Sequence, residues 1–253
     1  MSLSFRQSDI LEIASSEGRV TVEGLAERFG VTVQTIRRDL TELADAGKLD
    51  RVHGGAVLRS GVSNIGYEDR RALNADAKTS IAKACALDIP DGASIFMNIG
   101  TSTEAVARQL LNHKNLMVVT NNMNVANILI ENPDCEIVMA GGVLRRADGG
   151  LIGNLTVSTI RQFKFDLAVI GCSALDSDGD LLDFDFQEVQ VSQTIIAQAR
   201  RTCLVADQSK FQRSAPARIA SLSEIDSFYT DKHLPHELGQ KCVDWNTALH
   251  IAD

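Results

Sequence analysis

Ile10, Leu11, Ile13 and Ala14 make one apolar stripe at helical spacing near the start of the chain, with Gly18 placed to end it. "RVTV" is briefly extended. Thr21 then suits the cap of a short second helix carrying Leu25, Ala26 and Phe29, which Gly30 terminates in the left-handed conformation. Two residues later Thr32 suits the cap of a third helix. Its apolar positions Val33, Ile36, Leu40, Leu43 and Ala44 follow the three-and-four spacing of a buried face, and Gly47 is its stop.

With that face inside, Gln34, Arg37, Arg38 and Thr41 fall at i, i+3, i+4 and i+7 and form a second stripe turned to solvent. At a helical rise of 1.5 Å per residue the stripe is about 10 Å long, comparable to the roughly 12 Å major groove of B-DNA. Two helices joined by a tight turn, the second presenting polar and arginine side chains, are the parts of a helix-turn-helix. Downstream, "KLDRVHGGAVLR" alternates around Gly54 and Gly55 as a hairpin or wing does, with Arg51, His53 and Arg59 placed to touch phosphates. An isolated arginine pair is more often a solvated helix face. The tight turn and the wing together favour DNA contact.

From about Arg59 to Asn74 the periodicity lapses, and this stretch reads as a linker between residues 1–58 and 75–253. Beyond it, "ASIFMNI", "LMVVT", "CEIVMA", "FDLAVIG" and "TCLVAD" alternate with helical stretches. Short continuous apolar strands between helices predict an α/β layer with a mainly parallel sheet.

Charge changes this picture only locally. The whole chain, 253 residues long, carries a net charge of −8, which taken in bulk argues against nucleic acid. Residues 1–60, however, hold eight cations against nine acids, and five of those cations lie from Arg37 onward, so a positive face begins at the third helix. The five cysteines show no paired spacing, no apolar run is long enough to span a bilayer, and the first residues lack a signal-peptide pattern. The expectation is a cytoplasmic protein without membrane contact.

In open α/β sheets ligands sit at the carboxyl ends of the strands. There the chain places "GTST" (Gly100, Thr101, Ser102, Thr103), "TNN" (with Thr120 and Asn121), "AGG" (with Gly141 and Gly142), "GCSAL" (with Gly171) and "DQSKF" (with Asp207 and Lys210). The first can cradle an anion at a helix N-terminus, Lys210 adds positive charge, and Asp207 can accept from sugar hydroxyls, a set that suits a small phosphorylated polyol. Taken singly, each piece is more often a strand-to-helix cap. Neither G-x-G-x-x-G nor a Walker loop is present, so dinucleotide and ATP readings lose support. In the acidic run, Asp176, Asp178 and Asp180 tempt a calcium reading, but the positions that need Gly and Glu hold Leu181 and Gln187; a hairpin with acids facing water is the plain alternative. The histidines (His53, His113, His233, His236, His250) make no zinc spacing, so no metal and no cofactor are expected.

"TVEGLAERFGVTVQTIRRDLTELADAGKLDRVHGGA" resembles the DNA-binding signature of the DeoR-type bacterial transcriptional repressors. The resemblance continues through "IGTSTEAVARQLLNHKNLMVVTNNMNVAN", "AGGVLRRADGGLIG", "LDSDGDLLDFDFQEV" and "DQSKF". It implies a winged helix-turn-helix, a sensor domain related in fold to ribose-5-phosphate isomerase, and a sugar-phosphate inducer, glycerol 3-phosphate first, which points to glycerol metabolism. It carries DNA contact onto Gln34, Thr35, Arg37 and Arg38, with His53 and Gly54 in the wing. Thr32, Thr41 and Arg51 complete the expected DNA set. Effector contact falls on Lys78, Gly100, Thr101, Ser102, Thr103, Thr120, Asn121, Gly141, Gly142, Asp207 and Lys210, beside Gly171. After Glu188 the family places basic residues where this chain has Ser192 and Gln193, and Lys210, Arg145 or Arg146 are the candidates to compensate.

The leading expectation is a non-enzymatic, sequence-specific repressor acting as a homo-oligomer, dimer or tetramer, on double-stranded operator DNA, because linked modules multiply affinity. The alternative is a sugar-phosphate isomerase with an appended DNA-binding module, for which Asp180, Asp183 and Glu188 are the available carboxylates. A third is a structural DNA-bridging protein without a ligand.

Overall fold

A computed structural model describes residues 4–17, 19–46, 48–52, 54–58 and 67–252. Gly18, Gly47, His53 and Arg59 lie outside the described residues.

The amino-terminal part contains α1 (Phe5–Glu17), β1 (Arg19–Thr21), α2 (Val22–Phe29), α3 (Val33–Asp45), β2 (Leu49–Val52) and β3 (Gly55–Leu58). The caps expected of the threonines form: Thr21 accepts from the Gly24 N–H, Thr32 accepts from the Thr35 N–H, and Gly30 ends α2 at φ 62°. Ile10, Ile13, Ala14, Leu25, Ile36, Leu40 and Leu43 form one buried cluster with Val20, Leu49 and Ala56. The wing is the antiparallel hairpin β2–β3, to which β1 adds a third strand in the order β1-β3-β2. Gly54 sits in its tight turn at φ 75°, which favours glycine. Gly55 is required for another reason: a Cβ there would lie 1.9 Å from the Val20 carbonyl oxygen.

Next comes α4 (Tyr67–Ala72), within the stretch expected to be linker. Six residues are too few to show a period, but Arg70 and Arg71 in the last turn suit a helix macrodipole.

The larger part runs α5 (Ala75–Leu87), β4 (Ser94–Met97), α6 (Thr101–Gln109), β5 (Leu116–Thr120), α7 (Met123–Leu129), β6 (Cys135–Met139), β7 (Val143–Arg145), β8 (Gly150–Ile152), α8 (Asn154–Ile160) and β9 (Phe165–Ile170). It continues through β10 (Ala174–Leu175), β11 (Asp180–Asp183), α9 (Phe186–Gln198), β12 (Ala199–Val205), a 3-10 turn (Gln208–Gln212), β13 (Ala217–Ser221), β14 (Ser227–Thr230), α10 (His236–Asp244) and β15 (Ala248–Ile251). The main sheet has seven strands in the order β15-β14-β12-β9-β4-β5-β6, all pairs parallel. All five expected strands are in it; β14 and β15 were not expected, being four-residue segments with little apolar run.

The strand alternation divides the core. Ile95 and Met97 face one layer with Ile81, Val106 and Val125, from α5, α6 and α7. Phe96 faces the other with Val191, Ile195 and Leu238, from α9 and α10. The chain leaves β4 toward β5 and β6, then returns on the other side of β4 through β9, β12, β14 and β15. The strand order therefore reverses between β4 and β9, and a crevice opens beyond their carboxyl ends. The acidic run forms the β10–β11 hairpin, which pairs onward to β13. Asp176 accepts from the Asp178 and Asp180 N–H groups, closing the turn without a cation. Asp183, contrary to the water-facing expectation, is buried.

Candidate functional site

The exposed stripe on α3 forms as the spacing requires: Gln34, Arg37, Arg38 and Thr41 are all exposed beside the buried Ile36 and Leu40. Their engagement differs. Arg38 pairs with Glu42 one turn on, at 3.0 Å. The Thr41 hydroxyl donates to the Arg37 carbonyl at 2.8 Å, and Arg51 reaches from the wing to donate to that carbonyl at 3.1 Å and to the Thr41 hydroxyl at 2.8 Å. Arg51 and Thr41 thus tie wing to helix. The Gln34 and Arg37 side chains have no hydrogen-bond partner among the described residues, so both are available to a ligand. Thr32 and Thr35 share a hydroxyl contact of 2.9 Å at the start of α3, and the Gly54 carbonyl accepts from the Val22 N–H at 2.9 Å.

A positioning pair was missed in the sequence. Arg6 of α1 donates two hydrogen bonds to Asp39, at 2.6 and 3.2 Å, and Asp39 is 5% exposed. Asp39 raises the pKa of Arg6, first through the hydrogen bond. Gln7 donates to Glu42 at 2.7 Å, so α1 holds α3 at two points. An acid flanking the apolar stripe was the only signal.

In the larger part the crevice between β4 and β9 is lined by Arg70, Gly100, Thr101, Ser102, Gly171, Cys172, Ser173, Asp183, Glu188 and Lys210, and encloses about 30 Å³. Gly100 adopts φ 151° as the chain turns from β4 into α6. The neighbouring hydroxyls are differently engaged. Thr103 donates to the Asn98 and Gly100 carbonyls, and Thr120 to the Met97 carbonyl at 2.6 Å, so both brace strand ends and neither lines the crevice. Asn121 is buried and donates to the Leu151 carbonyl at 3.1 Å. Gly141 and Gly142 lie beyond β6, at the sheet edge and away from the crevice. At Gly142, with φ 127°, a Cβ would lie 2.1 Å from the Thr156 hydroxyl and 2.7 Å from the Ile152 carbonyl, so glycine there lets β8 and α8 pack close.

One wall of the crevice carries Arg70 and Lys210. Lys78, Arg213 and Asp207 stand outside the lining but close enough for these charges to perturb one another. Burial, then Lys210, lowers the Lys78 pKa to about 8. Burial, then Arg213, lowers that of Lys210, and burial lowers that of Arg213. Asp207 accepts from Ser209 N–H and hydroxyl at 3.0 and 2.5 Å and from Asn74 at 2.8 Å. Although burial opposes its charge, Lys210 and these donors hold its carboxyl below the usual range. All three bonds fall on Oδ1, which braces the turn and the start of α5.

The other wall is acidic, and one arginine organises it. Arg145 meets Asp148 at 2.6 Å, Asp185 at 2.9 Å and Glu188 at 2.5 Å, while Arg70 meets Asp148 at 3.1 Å. One guanidinium cannot neutralise three carboxylates. Burial, then Asp183, pushes the Glu188 pKa up to about 8. So engaged, Arg145 does not replace the missing basic residues of α9, and Arg146 is exposed and lines no part of the crevice. Ser192 is buried and accepts from Asn98 at 2.9 Å, and Gln193 is exposed. Two further cations near Lys210, Arg70 in the crevice lining and Arg213 outside it, were not among the expected contacts. Arg70 escaped because its segment read as linker, and Arg213 because it lies just past the "DQSKF" motif.

Residues 6–61 match the DeoR-like helix-turn-helix domain and residues 73–232 the DeoR C terminal sensor domain, so α4 lies between the two matches. The chain is 45% identical over 251 residues, 99% of its length and 100% of the relative's, to the glycerol-3-phosphate regulon repressor of Escherichia coli (strain K12). It is 46% identical over 230 residues, 91% of its length and 90% of the relative's, to the repressor of the same name in Haemophilus influenzae. A solved ribose 5-phosphate isomerase A from Methanocaldococcus jannaschii has a partial likeness, with TM-score 0.41 and 15% identity over 55% of each chain. A helix-turn-helix joined to a sensor domain, in a chain whose relatives over nine-tenths or more of its length are themselves repressors, identifies a regulator, not an enzyme: the chain belongs to the DeoR family of DNA-binding transcriptional repressors.

Proposed function

We propose that this repressor is released from its operator by a small phosphorylated polyol, with glycerol 3-phosphate the first candidate, bound in the crevice between β4 and β9. The observation that carries the reading is the polarity of that crevice. At one end Lys210, with Lys78 and Arg213 near enough to perturb it or one another, stands by the first turn of α6, whose N–H groups and dipole favour an anion. At the other, Asp183 and Glu188 offer carboxyl oxygens to hydroxyl groups. A phosphate at one end and hydroxyls at the other match that arrangement, and the names of the relatives favour glycerol 3-phosphate among such compounds. Lys210 of the turn after β12, with Lys78 of α5 near it, takes over the role left open by Ser192.

On the DNA side, Gln34 and Arg37 read base edges, while Arg38 and the wing hold phosphates. Thr41 and Arg51 set the angle between wing and helix. A homo-oligomer presents two or more such modules to repeated half-sites. A coupling of roughly 1–3 kcal/mol between effector and DNA gives a 5- to 150-fold loss of DNA affinity, and DNA weakens effector binding by the same factor.

The test is a titration of the full chain with glycerol 3-phosphate, following thermal stability and retention on DNA from upstream of its own and neighbouring genes. Stabilisation with release is expected, and Lys210→Ala should keep DNA binding while losing release. Normal release in that variant would put the phosphate elsewhere; response to a different sugar phosphate alone would replace the effector.

A further inference from the structure

We infer that α4 is a strap that holds the crevice shut in the DNA-binding state, and that the effector acts by taking the crevice groups that the strap now occupies. The inference rests on the effector reading above and concerns how that site is regulated.

The Arg70 carbonyl, near the end of α4, accepts from the Lys78 ammonium and from the Thr101 hydroxyl, the latter at 3.3 Å. These are two of the groups that an anion in the crevice needs. Strap and anion therefore compete for the same donors. With α4 in place the crevice leaves about 30 Å³, room for roughly two waters. Arg70 lines that space, and its Nε is buried with no hydrogen-bond partner among the described residues, a cost that relocation of α4 relieves.

The rest of the strap is held by few contacts, each to a group outside the cationic wall. Tyr67 donates to the buried Glu104 at 2.8 Å and accepts from Asn124 at 3.1 Å, and Arg70 pairs with Asp148 at 3.1 Å. With the two bonds to the Arg70 carbonyl, five polar contacts made by two residues, Tyr67 and Arg70, hold this six-residue helix, a small set that suits an element that docks and undocks. Its position in the chain supplies the coupling. Only residues 59–66 lie between Leu58, the last residue of the wing, and Tyr67. Nine Cα steps reach at most about 32 Å, so the position of α4 bounds where the wing, and with it the DNA-binding module, can lie, and docked and undocked α4 allow different ranges.

Tyr67→Phe separates this inference from the effector reading, because Tyr67 does not line the crevice and phenylalanine preserves its bulk. Losing hydrogen bonds of ordinary net worth should raise the population of undocked α4 about fivefold. Two results are expected: DNA affinity of the ligand-free variant falls by up to about fivefold, and glycerol 3-phosphate binds it tighter by a similar factor. In the natural full chain, hydrogen exchange at residues 67–72 should quicken when glycerol 3-phosphate is added. Unchanged DNA affinity in a folded Tyr67→Phe variant overturns the strap. So does exchange at 67–72 that slows while the ligand binds. If glycerol 3-phosphate fails to bind the natural chain, the effector reading fails, yet a weaker grip on DNA in Tyr67→Phe still upholds the strap.

Discussion

Gly55→Ala isolates the close approach on which the wing depends. The added Cβ would sit 1.9 Å from the Val20 carbonyl oxygen, where an ordinary contact is 3.4 Å or more, so β1 and β3 must part by about 1.5 Å. Both partners are backbone, so no rotamer change relieves the clash. The pairs at stake are Arg19↔Val57, Val20↔Ala56 and Thr21↔Gly55, and Val20 and Ala56 are both buried in the small core. Overpacking costs about 1–3 kcal/mol. Losing roughly two ladder hydrogen bonds adds about 1 kcal/mol each, so the substitution should cost about 3–5 kcal/mol. That is a large share of what a small domain has. The single tryptophan, Trp245, follows α10 in the sensor domain, so its fluorescence reports that domain separately. Amide exchange across residues 19–58 should accelerate at least about 100-fold. Retention on operator DNA should be lost, and the Trp245 unfolding transition should stay where it is. Native exchange and native DNA retention in Gly55→Ala would refute the account of the wing. Gly54→Ala is the control: it meets nothing within 4 Å, and its cost is confined to φ 75°.

Arg37→Ala should cost about 1–3 kcal/mol of discrimination between operator and random DNA with the sensor still responsive, measured by competition binding; unchanged discrimination removes Arg37 from the reading stripe. Glu188 holds a proton in the folded chain up to about pH 8 that the unfolded chain releases near 4.5, so its contribution to stability is full below that window and lost as pH rises through it. Denaturation from pH 5 to 8 should show a decline that Glu188→Gln flattens, by at most about 4 kcal/mol. Lys78, whose pKa is lowered to about 8, must be charged to meet an anion, so glycerol 3-phosphate affinity should weaken as pH rises past 8, by up to about tenfold per unit, and calorimetry with Lys78→Gln should lose that dependence.

What residue order alone determined is everything governed by near neighbours. Helix spacing set the buried face of α3 and hence the exposed one, local caps at Thr21 and Thr32 set where helices begin, and apolar runs set five of the strands. All three follow from geometry that spans or repeats within two to four residues. The strand-end rule likewise placed Gly100, Thr101, Ser102, Gly171 and Lys210 at the crevice before their neighbours were known. It could not tell lining from bracing, because Thr103 and Thr120 differ from Thr101 only in which carbonyl stands within reach. Contacts across long stretches of chain needed the tertiary structure. Arg6 meets Asp39 33 residues away, and Arg70 meets Asp148 78 residues away, distances over which no local pattern repeats. The same holds for Gly55, whose side-chain space is filled by a strand that precedes two helices. The folded chain alone decided which charges face one another, and so made a strap of a segment that in sequence looks like a spacer.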